Sequence, residues 1–240
     1  LPWDTLTGGE PVITRIELDA PVLDLPALLR WQASRPKTPF KLPTLTKGIE
    51  VVDGTIRDTA FMLTKLALHL PRLQAGEPAE AGVSMRLASG NLQMDFQGKL
   101  TAATPGLQSA FTLDGSGALL QKPQPLPFKI AMRGSYRSED TTTIAITAPT
   151  FKLAGTSPLP DIQGKATFAL ADAMTLAFEG ELARWPADWP GLPQPLSENT
   201  GAMAVKLDYR GAADFGDPLS LRVDRDQTHV AASLRLAEMQ

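Results

Sequence analysis

The chain has no cysteine in its 240 residues. That removes disulfides, thiolate nucleophiles and cysteine-based metal sites together, so stability must come from packing. It leaves the compartment open, because cytosolic and periplasmic proteins both manage without cysteine. Histidine is nearly as scarce. His69 sits between Leu68 and Leu70 on the polar side of an alternation, His229 follows Gln227 and Thr228, and neither has a carboxylate at ligand spacing, so no metal is expected. Charge of one sign is lacking too. A formal net charge of -3 with 20% charged residues offers no basic stripe to follow phosphates, which argues against nucleic acid as a partner. Aromatics at 6% leave no platform for stacking sugars or peptides.

Long apolar runs are missing as well. None approaches the ~20 residues that span a bilayer, and no basic-then-apolar leader opens the chain. Leu1 stands where a Met would start a primary product, so the expectation is a processed or excised piece with a leader or membrane anchor upstream. There is no Gly-x-Ser-x-Gly elbow, HExxH pair or phosphate-cradling glycine loop before a helix. Glu179 and Glu181 come nearest to a two-carboxylate glycosidase site, yet they share the wet face of one segment, where no burial would raise a carboxyl pKa. Neither an enzyme nor a cofactor is expected.

What the chain does have is a period-2 alternation of apolar and polar residues. Leu92, Met94, Phe96 and Leu100 interleave with Asn91, Gln93, Asp95, Gln97 and Lys99, so an extended backbone puts every apolar side chain on one face. The same pattern recurs in Val83/Met85/Leu87, in Met174/Leu176/Phe178 and in Met203/Val205/Leu207/Tyr209. Proline and glycine punctuate the chain every ~10 to 15 residues, as in a meander of strands. Candidate turns are Asp53-Gly54, Ser89-Gly90-Asn91, Asp114-Gly115 and Asp172-Ala173. The predicted strands run near 12–18, 49–57, 60–70, 81–89, 91–102, 107–119, 125–137, 141–153, 162–171, 173–182, 201–211, 218–224 and 228–237.

One helix is predicted, near 25–34, with Asp24 as its cap, Pro26 in the first turn and Pro36 beyond its end. Trp31 is expected on its packed side. A short turn over 187–189 is expected in a proline-rich loop, where Trp185 and Trp189 either cap one end of a core or sit at a membrane interface. About a dozen strands at ~4.8 Å spacing make a sheet roughly 50 to 60 Å wide, whereas ten helical residues reach only ~15 Å. The helix cannot cover the apolar face. The expected fold is therefore a single mainly β domain over residues 1–240. It is a large curved antiparallel sheet forming a partly open groove or barrel-like taco, with one short N-terminal helix.

The phrase Ile16-Glu17-Leu18-Asp19-Ala20-Pro21-Val22-Leu23-Asp24-Leu25, running into Leu28-Leu29-Arg30-Trp31, resembles the strand-then-helix phrase of AsmA-like proteins. Gly48-Ile49-Glu50-Val51-Val52-Asp53-Gly54-Thr55-Ile56-Arg57, followed by Leu66-Ala67-Leu68-His69-Leu70, resembles the family's next phrase in the same order. The motif-bearing likeness spans roughly residues 12–70. It implies a periplasmic module, tethered to the inner membrane through an anchor outside these residues, that binds phospholipid or another amphiphile and contributes to lipid transport or outer-membrane biogenesis.

Unbranched methionine thioethers adapt to irregular or exchanging apolar partners, and Met62, Met85, Met94, Met132, Met174 and Met203 are all assigned to the apolar face. From the pattern alone, this face is either an ordinary core filled by methionine or a wall against lipid tails. The resemblance favours the wall. The lipid-facing residues are then Val83, Met85, Leu87, Leu92, Met94, Phe96, Phe128, Ile130, Met132, Phe168, Met174, Leu176, Phe178 and Met203. Lys99, Arg133, Arg137 and Lys206 belong to a solvated surface, where any near a groove rim would meet lipid phosphates. The alternative reading is a non-enzymatic β-sandwich scaffold of an envelope or secretion assembly, docking protein partners through its edge strands.

Overall fold

The computed structural model describes residues 12–34, 43–58, 61–89, 92–120, 124–138, 143–156, 159–170, 173–184, 202–211, 217–225 and 228–234. It begins with β1 (Val12–Ile13), β2 (Ile16–Asp19), β3 (Val22–Asp24), helix α1 (Leu25–Ala33) and β4 (Thr44–Leu45). Long strands follow: β5 (Ile49–Arg57), β6 (Met62–Leu70), β7 (Ala79–Ser89), β8 (Leu92–Ala102), β9 (Gln108–Leu119) and β10 (Leu126–Arg137). The chain continues with β11 (Ile144–Gly155), β12 (Asp161–Leu170), β13 (Met174–Arg184), β14 (Met203–Gly211), β15 (Leu219–Arg225) and β16 (Thr228–Leu234).

The protein is mainly β, and all strands but β1 and β4 belong to one sheet of fourteen. From β5 to β16 every strand pairs antiparallel with its sequence neighbour. The sheet is not closed into a barrel, since β16 ends one side and β2 and β3 the other. β2 and β3 run parallel to β5 along its free edge, which makes the sheet mixed at that end.

Local chemistry accounts for the punctuation. The Asp24 carboxylate accepts the Ala27 N–H at 2.7 Å, capping α1. Ser34 closes its last turn, donating its N–H to Arg30 O at 3.2 Å and its hydroxyl to Trp31 O at 2.7 Å. Because α1 follows β3 without a linker, its contacts with the sheet concentrate on that three-residue strand. Trp31, expected on a packed side, is accordingly 51% exposed.

Two of the expected turns are not turns. Asp53-Gly54 lies inside β5, where Asp53 takes φ 52° at a β-bulge opposite β6, and Lys65 of β6 takes φ 51° at a matching one. An extra residue shifts the side-chain parity of everything beyond it. Met62, expected on the apolar face, therefore pairs with Ala88, which pairs with Gln93 on the polar face, and it is 42% exposed. Asp114-Gly115 runs straight through β9. The Ser89-Gly90-Asn91 expectation is consistent with β7 ending at Ser89 and β8 starting at Leu92, while Gly90, Asn91, Asp172 and the 185–201 segment with Trp185 and Trp189 lie outside the described residues. A third bulge falls at Pro149-Thr150 of β11, against both neighbours, where proline has no N–H to give the ladder.

The small β1–β4 sheet is tied to the segment just beyond β6 by reciprocal backbone bonds between Leu45 and Leu73. Gly48 there adopts φ +73°, and a Cβ on it would collide with the Leu70 carbonyl. Gly48→Ala should destabilise the fold by about 1–3 kcal/mol, measured as a lower denaturation midpoint at unchanged slope.

Candidate functional site

Register decides which side chains share a face. Val83 stands opposite Gly98, and the row continues through Gly115, Ile130, Leu153, Ile162, Leu182 and Met203. A second row runs from Leu100 through Leu113, Met132 and Phe151 to Gly164, Gly180, Val205 and Val223. By the same pairing, all fourteen sequence-predicted residues lie on one face, including Leu92, opposite Ser89 of β7. From β5 through β14 no described side chain on this face is charged. Its polar groups are Ser89, Ser109, Tyr136 and Tyr209, and the Tyr136 hydroxyl accepts the Gly106 N–H at 3.3 Å.

The face is not uniform. Phe128, Met174 and Met203 are buried, whereas the other eleven predicted residues keep part of their surface open, Leu92 most of all at 44%. Around β12 to β15 the face covers itself: Leu182, Met203, Val205 and Val223 form a closed cluster with Ile162, Phe178 and Leu221 packed against it. Met203, 1% exposed, is core there and offers no surface to a guest. Over β7 to β10, Val83, Met85, Leu87, Met94, Phe96, Ile130 and Met132 stay partly exposed.

Phenylalanine and glycine are coupled in this open stretch. An alanine Cβ at Gly98 would come within 2.7 Å of the Phe96 ring, and at Gly115 within 2.6 Å of the same ring. At Gly117 it would collide first with the Asp95 carbonyl and then with the Phe128 ring, 2.6 Å away. The rings therefore lie down on bare backbone instead of standing off the sheet. Toward β13, Phe178 lies over Gly180 in the same way and meets Phe151 edge-on, with centroids 5.6 Å apart. Leu113, Phe151, Leu153 and these glycines share the face although the alternation of methionine and phenylalanine does not single them out. The signal for them was present, as Gly98, Gly115 and Gly117 fall on apolar-parity positions of strands.

The opposite face is polar and ion-paired across strands. Arg86 donates to both oxygens of Asp95, Nε to Oδ1 at 2.6 Å and Nη2 to Oδ2 at 2.7 Å. Lys99 reaches Glu80 at 2.6 Å and Lys165 reaches Glu179 at 2.9 Å. His69 Nδ1 lies 2.6 Å from Glu50 Oε2, on the polar side where the alternation puts it. Lys206 sits opposite Glu179 and contacts Asp208 at 3.5 Å. The hydrogen bond and charge of Lys165 hold Glu179 below the usual carboxylate range, and Glu181 bonds to Gln163. Among the described residues no group of three or more His, Asp or Glu is placed to hold a metal ion.

No family model matches the chain, and neither a curated protein nor a solved structure matches it significantly.

The Arg86 hydrogen bond, aided by the charges of Arg86 and Lys65, holds the Asp95 carboxyl below its ordinary range, against a smaller opposing effect of burial. A carboxylate with a depressed folded-state pKa adds stability that is present above its unfolded pKa of about 4 and is lost as pH falls through the folded value. Both side chains are more than a third exposed, so screening keeps the effect small. Asp95→Asn should lower the melting temperature by about 1–3 °C at neutral pH. That difference from the native chain should shrink steadily on acidification below about pH 4.

Proposed function

We propose that this chain is a lipid-handling module that lays acyl chains of a phospholipid or related amphiphile along the open apolar stretch of β7 to β10. The single observation that carries the reading is a sheet face without described charge that the described elements leave partly exposed, above all over β7 and β8, and that closes on itself near β12 to β15. A fatty-acid tail reaches half of a ~30 Å hydrocarbon layer, so one tail crosses about three strands. Covering each CH₂ is worth ~0.8 kcal/mol against water, but a tail leaving a bilayer gains little net, which makes loading and release reversible.

The AsmA-like phrases over residues 12–70 support a periplasmic setting, with the module tethered to the inner membrane and serving lipid transport or outer-membrane biogenesis. The described polar face suits solvent: its large side chains are mostly paired ions and amides. No helix among the described residues is long and apolar enough to cross a membrane, so membrane contact in this reading depends on a segment outside them.

A second reading has one observation in its favour. Leu18, Val22, Leu23 and Val52, all at the β2–β3 edge or beside it, are 37–60% exposed, as suits a scaffold that pairs its edge with an envelope protein.

Native mass spectrometry of gently purified protein incubated with dioleoyl phosphatidylglycerol separates the two. Retained lipid is expected for the carrier, and a bare protein at every lipid concentration would exclude it. Met94→Glu should abolish retention while the protein stays folded, because Met94 already meets solvent. Met203→Glu, which buries a charge in the closed cluster, should unfold the protein by costing several kcal/mol.

A further inference from the structure

On most of the polar face a cation is held by a carboxylate: Arg86 by Asp95, Lys99 by Glu80, Lys165 by Glu179. β10 and β11 break that habit. Between them they carry Lys129, Arg133, Arg137 and Lys152 and no acidic residue. Arg133 stands opposite Thr112 on one side and Thr150 on the other, and Lys152 opposite Ala131 and Gln163. Both are exposed, and among the described residues neither takes part in an ion pair or a side-chain hydrogen bond.

The bulge of β11 sits between these two cations. With one residue too many at Pro149-Thr150, the ladder to β12 lapses there, and Lys165 alone faces both residues. Such bulges re-aim side chains. Thr150 is thereby bordered by three cations. Arg133 is its direct cross-strand partner, with Cβ atoms about 5 Å apart, and Lys152 lies diagonal to Arg133 on the same face at roughly 7–8 Å. A hollow of about 550 Å³ opens beside them, lined by Thr150, Lys152, Gln163 and Lys165 and, on the β13 side, by Glu179 and Glu181. Those carboxylates are two strands, about 10 Å, from Thr150, and both are engaged, Glu179 by Lys165 and Glu181 by the Gln163 amide. The excess positive charge stays at the β10–β11 end.

We infer that this bulge is a phosphate-binding site, in which the Arg133 guanidinium and the Lys152 ammonium grip the oxyanion and the Thr150 hydroxyl donates to it. A guanidinium with all its N–H groups free matches two phosphate oxygens at once, and an ammonium beside it adds a point charge. The two cations repel each other, and an anion between them relieves that repulsion. The chemistry recognised is a phosphate monoanion or dianion, whether free or exposed as a lipid headgroup. The site lies on the face opposite the acyl-chain stretch and stands or falls apart from it.

Isothermal titration calorimetry of the whole chain at low salt tests this. One arm uses inorganic phosphate; the other uses vesicles of dioleoyl phosphatidylcholine and dioleoyl phosphatidic acid at roughly four to one, with pure phosphatidylcholine vesicles as baseline. Saturation by inorganic phosphate assigns a free anion, and saturation by the phosphatidic acid vesicles alone assigns the headgroup. Arg133→Gln/Lys152→Gln alters two exposed side chains, should melt close to the native chain, and should bind tenfold more weakly or worse. Thr150→Val should weaken binding several-fold, and Thr150→Ser should bind like the native chain. Lys99→Gln, which removes a cation already paired with Glu80, should also leave binding unchanged. No saturable heat above baseline in either arm overturns the inference, as does native affinity in the folded double variant or in Thr150→Val. An equal loss in Lys99→Gln would mean diffuse charge attraction and overturns the site as well.

Discussion

Everything in this fold follows from the hydrophobic effect acting on a surface that the described elements do not fully hide. Period-2 alternation sends the apolar half of eleven long strands to one side of one sheet, and thirteen strands in line at ~4.8 Å spacing make that side nearly 60 Å wide. The one helix among the described residues is nine residues long and sits at the β3 corner. The face has two ways to leave water: to pack on itself or to accept something foreign. Around β12 to β15 it does the first, with methionine, valine and leucine closing into a cluster. Over β7 and β8 its side chains stay partly exposed, while Phe111, Leu126 and Phe128 of β9 and β10 are buried and the Phe96 ring lies down over Gly98 and Gly115.

The polar side makes this arrangement tolerable. A broad exposed sheet risks stacking on its neighbour, and charges facing out of the strands oppose that. Here the charges are arranged in opposite-sign pairs directly across the ladder, Arg86 with Asp95 and Lys165 with Glu179, so each strand adds to register specificity as well as to wetting. Individually these exposed pairs are weak. Collectively they make a one-residue slip costly, because it would bring the whole ionic set round to the oily side.

The long strands were legible in the sequence to within a few residues from 49–57 to 219–225, since both alternation and turn residues mark them. The helix and its Asp24 cap were equally readable, as they depend on contacts three residues apart. Events that need knowledge of a partner strand were not. The paired bulges at Asp53 and Lys65 moved Met62 to the other face, and nothing local in Phe61-Met62-Leu63 announces this. Asp114-Gly115 has turn chemistry by composition but is held extended by its neighbours, with Gly115 reserved for the Phe96 ring. Parallel pairing of β2 and β3 with β5 is likewise a long-range choice. The sequence placed Met94 and Met203 on the same footing because parity is all it records, and only packing tells an open methionine from a closed one.

An open-edged sheet differs from a barrel in one mechanical respect. In a closed ring, strand number and stagger lock the diameter. Among the described residues no ladder joins β2 to β16, so the angle between the two ends is governed by the rotation between successive strands alone. A change of about 2° at each of the twelve junctions along the line of thirteen, a tenth of the ordinary interstrand twist, adds up to about 24° between the two ends. A sheet built this way changes the angle between its ends by many small, cheap increments without breaking a single backbone hydrogen bond.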